Sequence, residues 1–520
     1  MEGASIVSHA AEIRGMDSAD EESELPSAVK NLIRHLEGKV EPIDWLMCNA
    51  LSGEEFRDFF PERESLSTII GWRSQVRLLV LETIGNCNML RDLDFFLICG
   101  GDISRLTASE WEIVLKGFRF STVLESILIR DLKWSSDAEV ESLCLQIGKI
   151  LNTSSVQSLS IEHCRLSTRC FLNLASGLRG NSDSQLQSLN LDDAWEESSA
   201  AKHVADMINS ASRLEVLYLL HLDAMEEETV GILSQALIQS SSLKLLCLDK
   251  VDWGVALLLN ALAGDDGNRS IERLSLGNMD GLGGCLRELL TSNPSLKEVE
   301  LYRLQMSPEE WHQLGEFIRD KVRATTTTVR CYLDQNDRDD WKSIETFACA
   351  ASSDVKDPSV ELVLEPLSDQ EFMLSLNLLG RVLRGEINSL KSFHIWARHP
   401  RTSGTNQDRP ESMLPMNGKS GETSVLKRLS LNVESKGLWK DLLWCLRGNT
   451  SLTHLDLSDN EGATLDEEAF KDLMGLLQVN LTLQEIDVSD TSWETDGKGA
   501  QIQEALKQNQ KRASTSEKPN

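Results

Sequence analysis

The chain has 520 residues, 52 basic against 82 acidic, and a net charge of −30. Its length can hold several compact domains or one long repetitive array, and 41% hydrophobic with 26% charged is ordinary globular composition. The acidic balance argues against nucleic-acid and anionic-membrane binding, which need a basic footprint.

The first 25 residues are polar, with Asp17, Asp20, Glu21, Glu22 and Glu24, and read as a disordered acidic N-terminus. They lack the charged and apolar regions of a secretory signal, and no apolar run in the chain is long enough to span a bilayer. Eleven cysteines without a C-x-x-C pair suit a reducing compartment. A cytoplasmic protein without membrane insertion is expected. Residues 26–75 carry a helical pattern (Val29, Leu32, Ile33, Leu36) and a loop with Pro42 and Pro61. They are expected to form a helical cap on the first repeat, because a bare repeat end would expose core.

From residue 76 to 508 the pattern L-x-x-L-x-L recurs. Two early copies begin at Val76 and Leu90, too close together for both to be full units. Clear copies begin at Leu124, Val156, Leu186, Leu214, Leu243, Ile271 and Leu296, with spacings of 25 to 32 residues. Weak copies at Thr326 and Ser359 lead to further clear ones at Leu390, Leu426, Leu452 and Leu483, so the mean spacing is about 30. Between them lie helical patterns such as Phe171, Leu174, Ala175 and Leu178. A strand, a turn and a helix of this length make one leucine-rich repeat. The expected fold class is α/β: a leucine-rich-repeat solenoid, or horseshoe, with a parallel concave sheet and outer helices. The full helix in each unit resembles the ribonuclease-inhibitor type. An asparagine ahead of the strand (Asn268, Asn293, Asn449, Asn480) supports that likeness. Three of these sites, and Asn152, also read as glycosylation sequons, but the structural role is preferred.

The leucines of each strand point inward, and the residues between and after them face solvent. These columns place Tyr218 and His221 on one unit, Tyr302 and Arg303 on another, then Tyr332, and His394 with Trp396. Aromatic and Arg residues are the usual anchors of protein interfaces, so this stretch of the concave face is the expected partner-binding surface, although strands favour aromatics in any case. Asp456, Asp459, Glu485, Asp487 and Asp490 form an expected acidic patch, with Asp192 and Asp193 as a smaller acidic spot. Such carboxylates attract basic partners or simply solvate the face.

Little in the chain points to catalysis. Gly418-Lys419-Ser420 ends like a phosphate-binding loop, but position 413 is methionine, and the tripeptide lies in the Pro-, Gly- and Ser-rich stretch 398–423, which reads as an inserted flexible loop. His163 beside Cys164 is the nearest approach to metal spacing, and Cys164 fits the buried position that closes a repeat strand. No G-x-S-x-G elbow is present. No enzyme activity, cofactor, catalytic residue or metal is expected. Residues 509–520 read as a disordered tail.

The segment 481–513 carries Asp487-Val488-Ser489, Thr491-Ser492-Trp493, Asp496-Gly497-Lys498 and Glu504-Ala505-Leu506-Lys507-Gln508-Asn509. Over these 30 or so residues the chain resembles the last repeats of the TORNADO 1-like plant Roco proteins, in which a ribonuclease-inhibitor-type array precedes a GTPase and a dimerisation domain. No GTPase motif is present in this sequence, so no nucleotide-site residue carries over. The resemblance implies a repeat platform that recruits or regulates, as a shortened relative or one part of a longer protein. The expected function is a non-enzymatic scaffold for protein partners. Its rivals are a regulator of a small GTPase, of the kind that activates Ran, and the repeat fragment of an immune-type sensor.

Overall fold

The computed structural model describes residues 43–45, 74–86, 90–179, 181, 183–222, 226–251, 254–263, 267–280, 282–304, 306–321, 327–334, 340–352, 360–365, 369–395, 424–431, 436–457 and 465–516. The expected disordered N-terminus, most of the expected cap, Trp396, the 398–423 loop, Asp459 and residues 517–520 lie outside them. The chain divides into two units, Met1–Ala261 and Leu262–Asn520.

In the first unit the elements run β1 (Ile43–Trp45), α1 (Ser74–Gly85), β2 (Leu90–Asp94), α2 (Phe95–Cys99), α3 (Ala108–Lys116), β3 (Ser126–Arg130) and α4 (Asp137–Thr153). They continue with β4 (Ser158–Glu162), α5 (Thr168–Arg179), β5 (Ser188–Asp192), α6 (Ala201–Ser210), β6 (Val216–Leu220), α7 (Glu227–Gln239), β7 (Leu245–Asp249) and α8 (Val255–Ala263), within which the division falls. Strands β1 to β7 pair in chain order, each parallel to the next.

The second unit holds β8 (Arg273–Gly277), α9 (Gly283–Ser292), β9 (Glu298–Tyr302), α10 (Pro308–Lys321), β10 (Thr328–Asp334), α11 (Asp340–Ala350), β11 (Val360–Glu365), α12 (Asp369–Leu383) and β12 (Leu390–Ile395). It ends with β13 (Arg428–Leu431), α13 (Lys436–Arg447), β14 (His454–Asp456), α14 (Glu467–Val479), β15 (Glu485–Asp487), α15 (Ser492–Thr495) and α16 (Lys498–Ser516). Its strands are again parallel neighbours in chain order.

This is the α/β leucine-rich-repeat architecture expected from the spacing. Strands β3 to β7 alternate half-exposed and buried residues. The buried ones, such as Leu159 and Ile161, join the apolar stripe of the helices in one core. Both weak copies are strands: Val329 and Cys331 of β10, and Leu362 and Leu364 of β11, are buried in the leucine positions.

The structure differs from the sequence expectation in three places. Val76 begins no strand, because it lies within α1, and of the two early copies only Leu90 starts one. The short apolar run there satisfies either period. The stretch expected to be a helical cap contains a strand, β1, in register with β2 (Ile43 beside Leu90). Residues 509–516, expected to be a loose tail, continue α16. The cause is Asn509, which is buried and donates its amide to Leu477 O and Asn480 O.

Asn509 ends a ladder whose earlier rungs are the asparagines ahead of the strands. Asn268, Asn293, Asn449 and Asn480 are all buried. Three of them accept the backbone N–H of the leucine or isoleucine that opens the next copy: Ile271 N at 3.0 Å for Asn268, Leu452 N at 2.7 Å for Asn449 and Leu483 N at 3.1 Å for Asn480. Asn293 Nδ2 reaches back to Leu262 O (3.0 Å) and Asn268 O (2.9 Å), and Asn480 Nδ2 to Leu446 O (2.6 Å) and Asn449 O (3.2 Å). The ladder satisfies turn backbone that would otherwise be buried unpaired. It also removes the sequon asparagines Asn268, Asn449 and Asn480 from any glycan-attaching enzyme in the folded chain.

Candidate outward face of the sheet

Many strands end in a residue held at positive φ, a conformation that non-glycine residues seldom adopt. In the first unit these are Asp131, His163, Asp193, His221 and Lys250, and in the second Asn278, Arg303 and Asp490, with φ between 43° and 59°. The turn lets the backbone N–H reach a carbonyl of the next strand, as in His163 to Asp192 O (2.8 Å) and Arg303 to Tyr332 O (3.2 Å). His221 and Arg303 therefore lie one residue past the ends of β6 and β9. They do not stand in the strand columns beside the tyrosines.

In the first unit Tyr218 is half-exposed on the outward face, in register with Asn190. Asn190 donates to Ser160 Oγ (2.9 Å) and Glu162 Oε1 (3.1 Å). His221 is fixed by Asp192, with Nδ1 at 2.7 Å from Oδ1, and His163 Nε2 lies 3.8 Å from Asp192 Oδ2. The expected acidic spot is thus divided: Asp192 sits between two imidazoles, and Asp193 faces Arg165 at 3.9 Å.

In the second unit the tyrosines come together. Tyr302 and Tyr332 are register partners on β9 and β10, and their rings stack at 4.2 Å with an interplanar angle of 9°. Tyr302 Oη donates to Glu300 Oε2 (3.1 Å), and burial, with Tyr332 and Glu300 beside it, pushes its phenol well above the ordinary value. Next to the stack Arg330 bridges three strands, reaching Glu298 (2.8 Å), Glu300 (2.7 Å) and Glu361 (2.8 Å). Burial alone would lower the pKa of this guanidinium. The carboxylates of Glu361 and Glu298 outweigh burial and hold it above the usual arginine value. None of these four charged residues stands out in the sequence. Their signal is the alternation of sign at equivalent solvent-facing positions of successive repeats, Glu300, Arg330 and Glu361, which emerges only once the repeats are aligned.

His394 lies two strands from Tyr332, with Val363 between them in the register, and shares a 2.5 Å hydrogen bond with Ser392. Burial holds its pKa below the usual histidine value. The unfolded chain therefore takes up this proton first, and the contribution to stability is lost as pH falls through the unfolded value of about 6.5 toward the folded one. His394→Gln is expected to flatten the fall in denaturation midpoint between pH 7.5 and 5.5, read by circular dichroism. An unchanged slope would remove His394 from the titration.

Of the acidic patch, Asp456 and Asp487 are register partners on β14 and β15, and Glu485 pairs with His454 at the start of those strands. The carboxylates of Asp456, Glu485 and Asp487 each have a partner. Asp456 accepts from Ser430 Oγ (2.9 Å), and Glu485 lies 3.2 Å from His454 Nε2. Hydrogen bonds from the Ser489 side chain and backbone hold Asp487 below the usual carboxylate value. Asp490 is exposed in the turn beyond, where its N–H donates to Glu494 (2.8 Å).

Fold and face together define an α/β leucine-rich-repeat protein whose outward strand residues are ordered by cross-strand contacts. No family model matches the chain, and no curated protein matches it. Among solved structures, one similar chain comes from the crystal structure of the Rad7 and Elc1 complex in yeast. It is 19% identical, over 74% of this chain and 79% of that one, with a TM-score of 0.34. No helix among the described residues is long and apolar enough to cross a membrane. No group of His, Cys, Asp or Glu among them is arranged to hold a metal ion.

Proposed function

We propose that the chain is a non-enzymatic protein-interaction scaffold of the cytoplasm, binding partner proteins on the outward face of β9 to β12. The observation that carries this reading is the Tyr302–Tyr332 stack. Two half-exposed rings fixed against each other offer apolar contact area at little entropic cost. The Arg330 cluster beside them supplies a fixed polar rim. Neither ring is needed for the buried leucine columns, so Tyr302→Ala and Tyr332→Ala are expected to leave the circular dichroism spectrum and melting temperature unchanged. Together they should weaken partner capture by at least about tenfold, the scale of a hot-spot residue. Unchanged capture by the double variant would move the binding surface elsewhere.

We read the array as ribonuclease-inhibitor type, on its repeat length of about 30 residues and the helix that follows most strands. A relationship to the plant Roco repeat region remains the proposal for residues 481–513. Trp493 is buried core, Gly497 takes a φ of 74° and Asn509 completes the asparagine ladder, so much of that likeness lies in residues that close the array. Stimulated GTP hydrolysis by an added small GTPase would favour the GTPase-regulator reading instead.

A further inference from the structure

The tyrosine stack stands in a surplus of negative charge. Among the described side chains of β9 to β11, the solvent-facing positions carry Glu298, Glu300, Glu361 and Glu365 against one cation, Arg330. Arg330 lies within 2.8 Å of Glu298, Glu300 and Glu361, so a single positive charge is shared among three carboxylates. The register partners on either side of the stack are Gly277 on β8 and Val363 on β11, and neither is charged. Gly277 also contributes no side chain beside Tyr302. The next cation along the chain, Arg303, lies past the strand end in its left-handed turn. An occupant that covers the half-exposed rings takes these carboxylates out of water. If it is apolar or acidic, their surplus charge is left uncompensated, at a cost in binding. A guanidinium compensates it. Its plane stacks on a tyrosine face, whose π-cloud attracts it, and its forked N–H groups reach carboxylate oxygens.

We infer that the protein partner of this face is basic, and that it docks an arginine on the Tyr302–Tyr332 stack with the guanidinium among Glu298, Glu300 and Glu361. The inference rests on the strand face of the second unit being the binding surface, and it adds the partner's charge and its anchor residue. The chain's net charge of −30 acts in the same direction at long range and speeds the encounter with any cationic partner. The stack is what separates arginine from other cations. A lysine ammonium is a strongly hydrated point charge, whereas the guanidinium is flat and more weakly hydrated and so extends a pair of rings already held parallel.

The test is a fluorescence-anisotropy titration of labelled hexa-arginine with the full chain at about 0.15 M salt, with hexa-lysine as the equally charged comparison. Hexa-arginine is expected to bind about threefold more tightly than hexa-lysine. Tyr302→Ala with Tyr332→Ala should weaken it about tenfold and abolish the preference for arginine. Tyr302→Phe with Tyr332→Phe keeps both rings and should keep the preference. Glu298→Gln with Glu361→Gln should weaken hexa-arginine about fivefold. Glu227→Gln with Glu228→Gln, which removes the same charge from the exposed first turn of α7, should leave it unchanged. Equal affinity for the two peptides, or equal affinity of all variants, would show attraction by net charge alone and overturn the inference. Loss confined to Asp456→Asn with Asp487→Asn would move the basic segment to β14 and β15 and overturn it as well. Either failure leaves the strand-face reading standing where the tyrosine-to-alanine pair still loses a captured partner, and unchanged capture by that pair removes both.

Discussion

Replacing Asn480 by alanine is expected to lower stability by about 3 kcal/mol, because buried backbone groups left unpaired cost about 1–3 kcal/mol each. The side chain is 2% exposed. It accepts from Thr482 N (3.0 Å) and Leu483 N (3.1 Å), and it donates to the carbonyls of Leu446 and Asn449 in the preceding repeat. Alanine removes these four bonds and a fifth from Thr482 Oγ1 (3.0 Å), and leaves the buried backbone groups unpaired. The loss should register as a lower denaturant midpoint and as faster amide exchange in β14 and β15, the strands on either side of the rung. Asn152, exposed in the last turn of α4, is the matched control, and Asn152→Ala should stay within about 0.5 kcal/mol of the parent. Equal, small effects at both positions would show that the ladder does not hold the repeats together.

Trp493→Ala is expected to be costlier still, about 3–5 kcal/mol, the range for truncating a buried aromatic. Trp493 is fully buried on the single-turn α15. Its ring meets Trp439 edge-on at 6.0 Å and Phe470 at 5.6 Å, and Lys498 lies 5.6 Å from the Phe470 ring. This cluster joins α13, α14 and α15, so a cavity here separates the last repeats from the rest of the second unit. The indole nitrogen has no hydrogen-bond partner among the described residues. Trp493→Phe therefore gives up volume but no hydrogen bond, and is expected to cost only about 1 kcal/mol. Equal losses for alanine and phenylalanine would mean that the ring's packing is not what stabilises this end.

The inward half of the structure is legible in the sequence because burial imposes a local rule. Apolar residues two apart on a strand must share a face, so strands as weak as β10 and β11 can be placed from Val329, Cys331, Leu362 and Leu364. The asparagines ahead of the strands are legible for the same reason, since each satisfies the turn immediately after it. The features that the sequence obscures depend on partners about 30 positions away. The alternation of Glu300, Arg330 and Glu361 is set by cross-strand pairing and leaves no trace within any single repeat. His221 and Arg303 are recognisable as surface residues, but their left-handed backbone just past the strand ends has no local composition signal. At the ends the rule fails differently. The three residues of β1 are too few to show a period, and the polar run after Asn509 hides a helix that Asn509 itself anchors.

Binding of partners on the outward strand face of the second unit is tested by comparing the two sides of that unit. A captured partner would be titrated against the intact chain, against Tyr302→Ala with Tyr332→Ala, and against a helix-side pair, Trp444→Ala with Val479→Ser. Trp444 and Val479 are 42% and 61% exposed, so they offer the rival apolar contact. The expected dissociation constant is at least about tenfold weaker for the tyrosine pair and unchanged for the helix-side pair. The reverse order would place the partner on the helices and refute binding at the strand face.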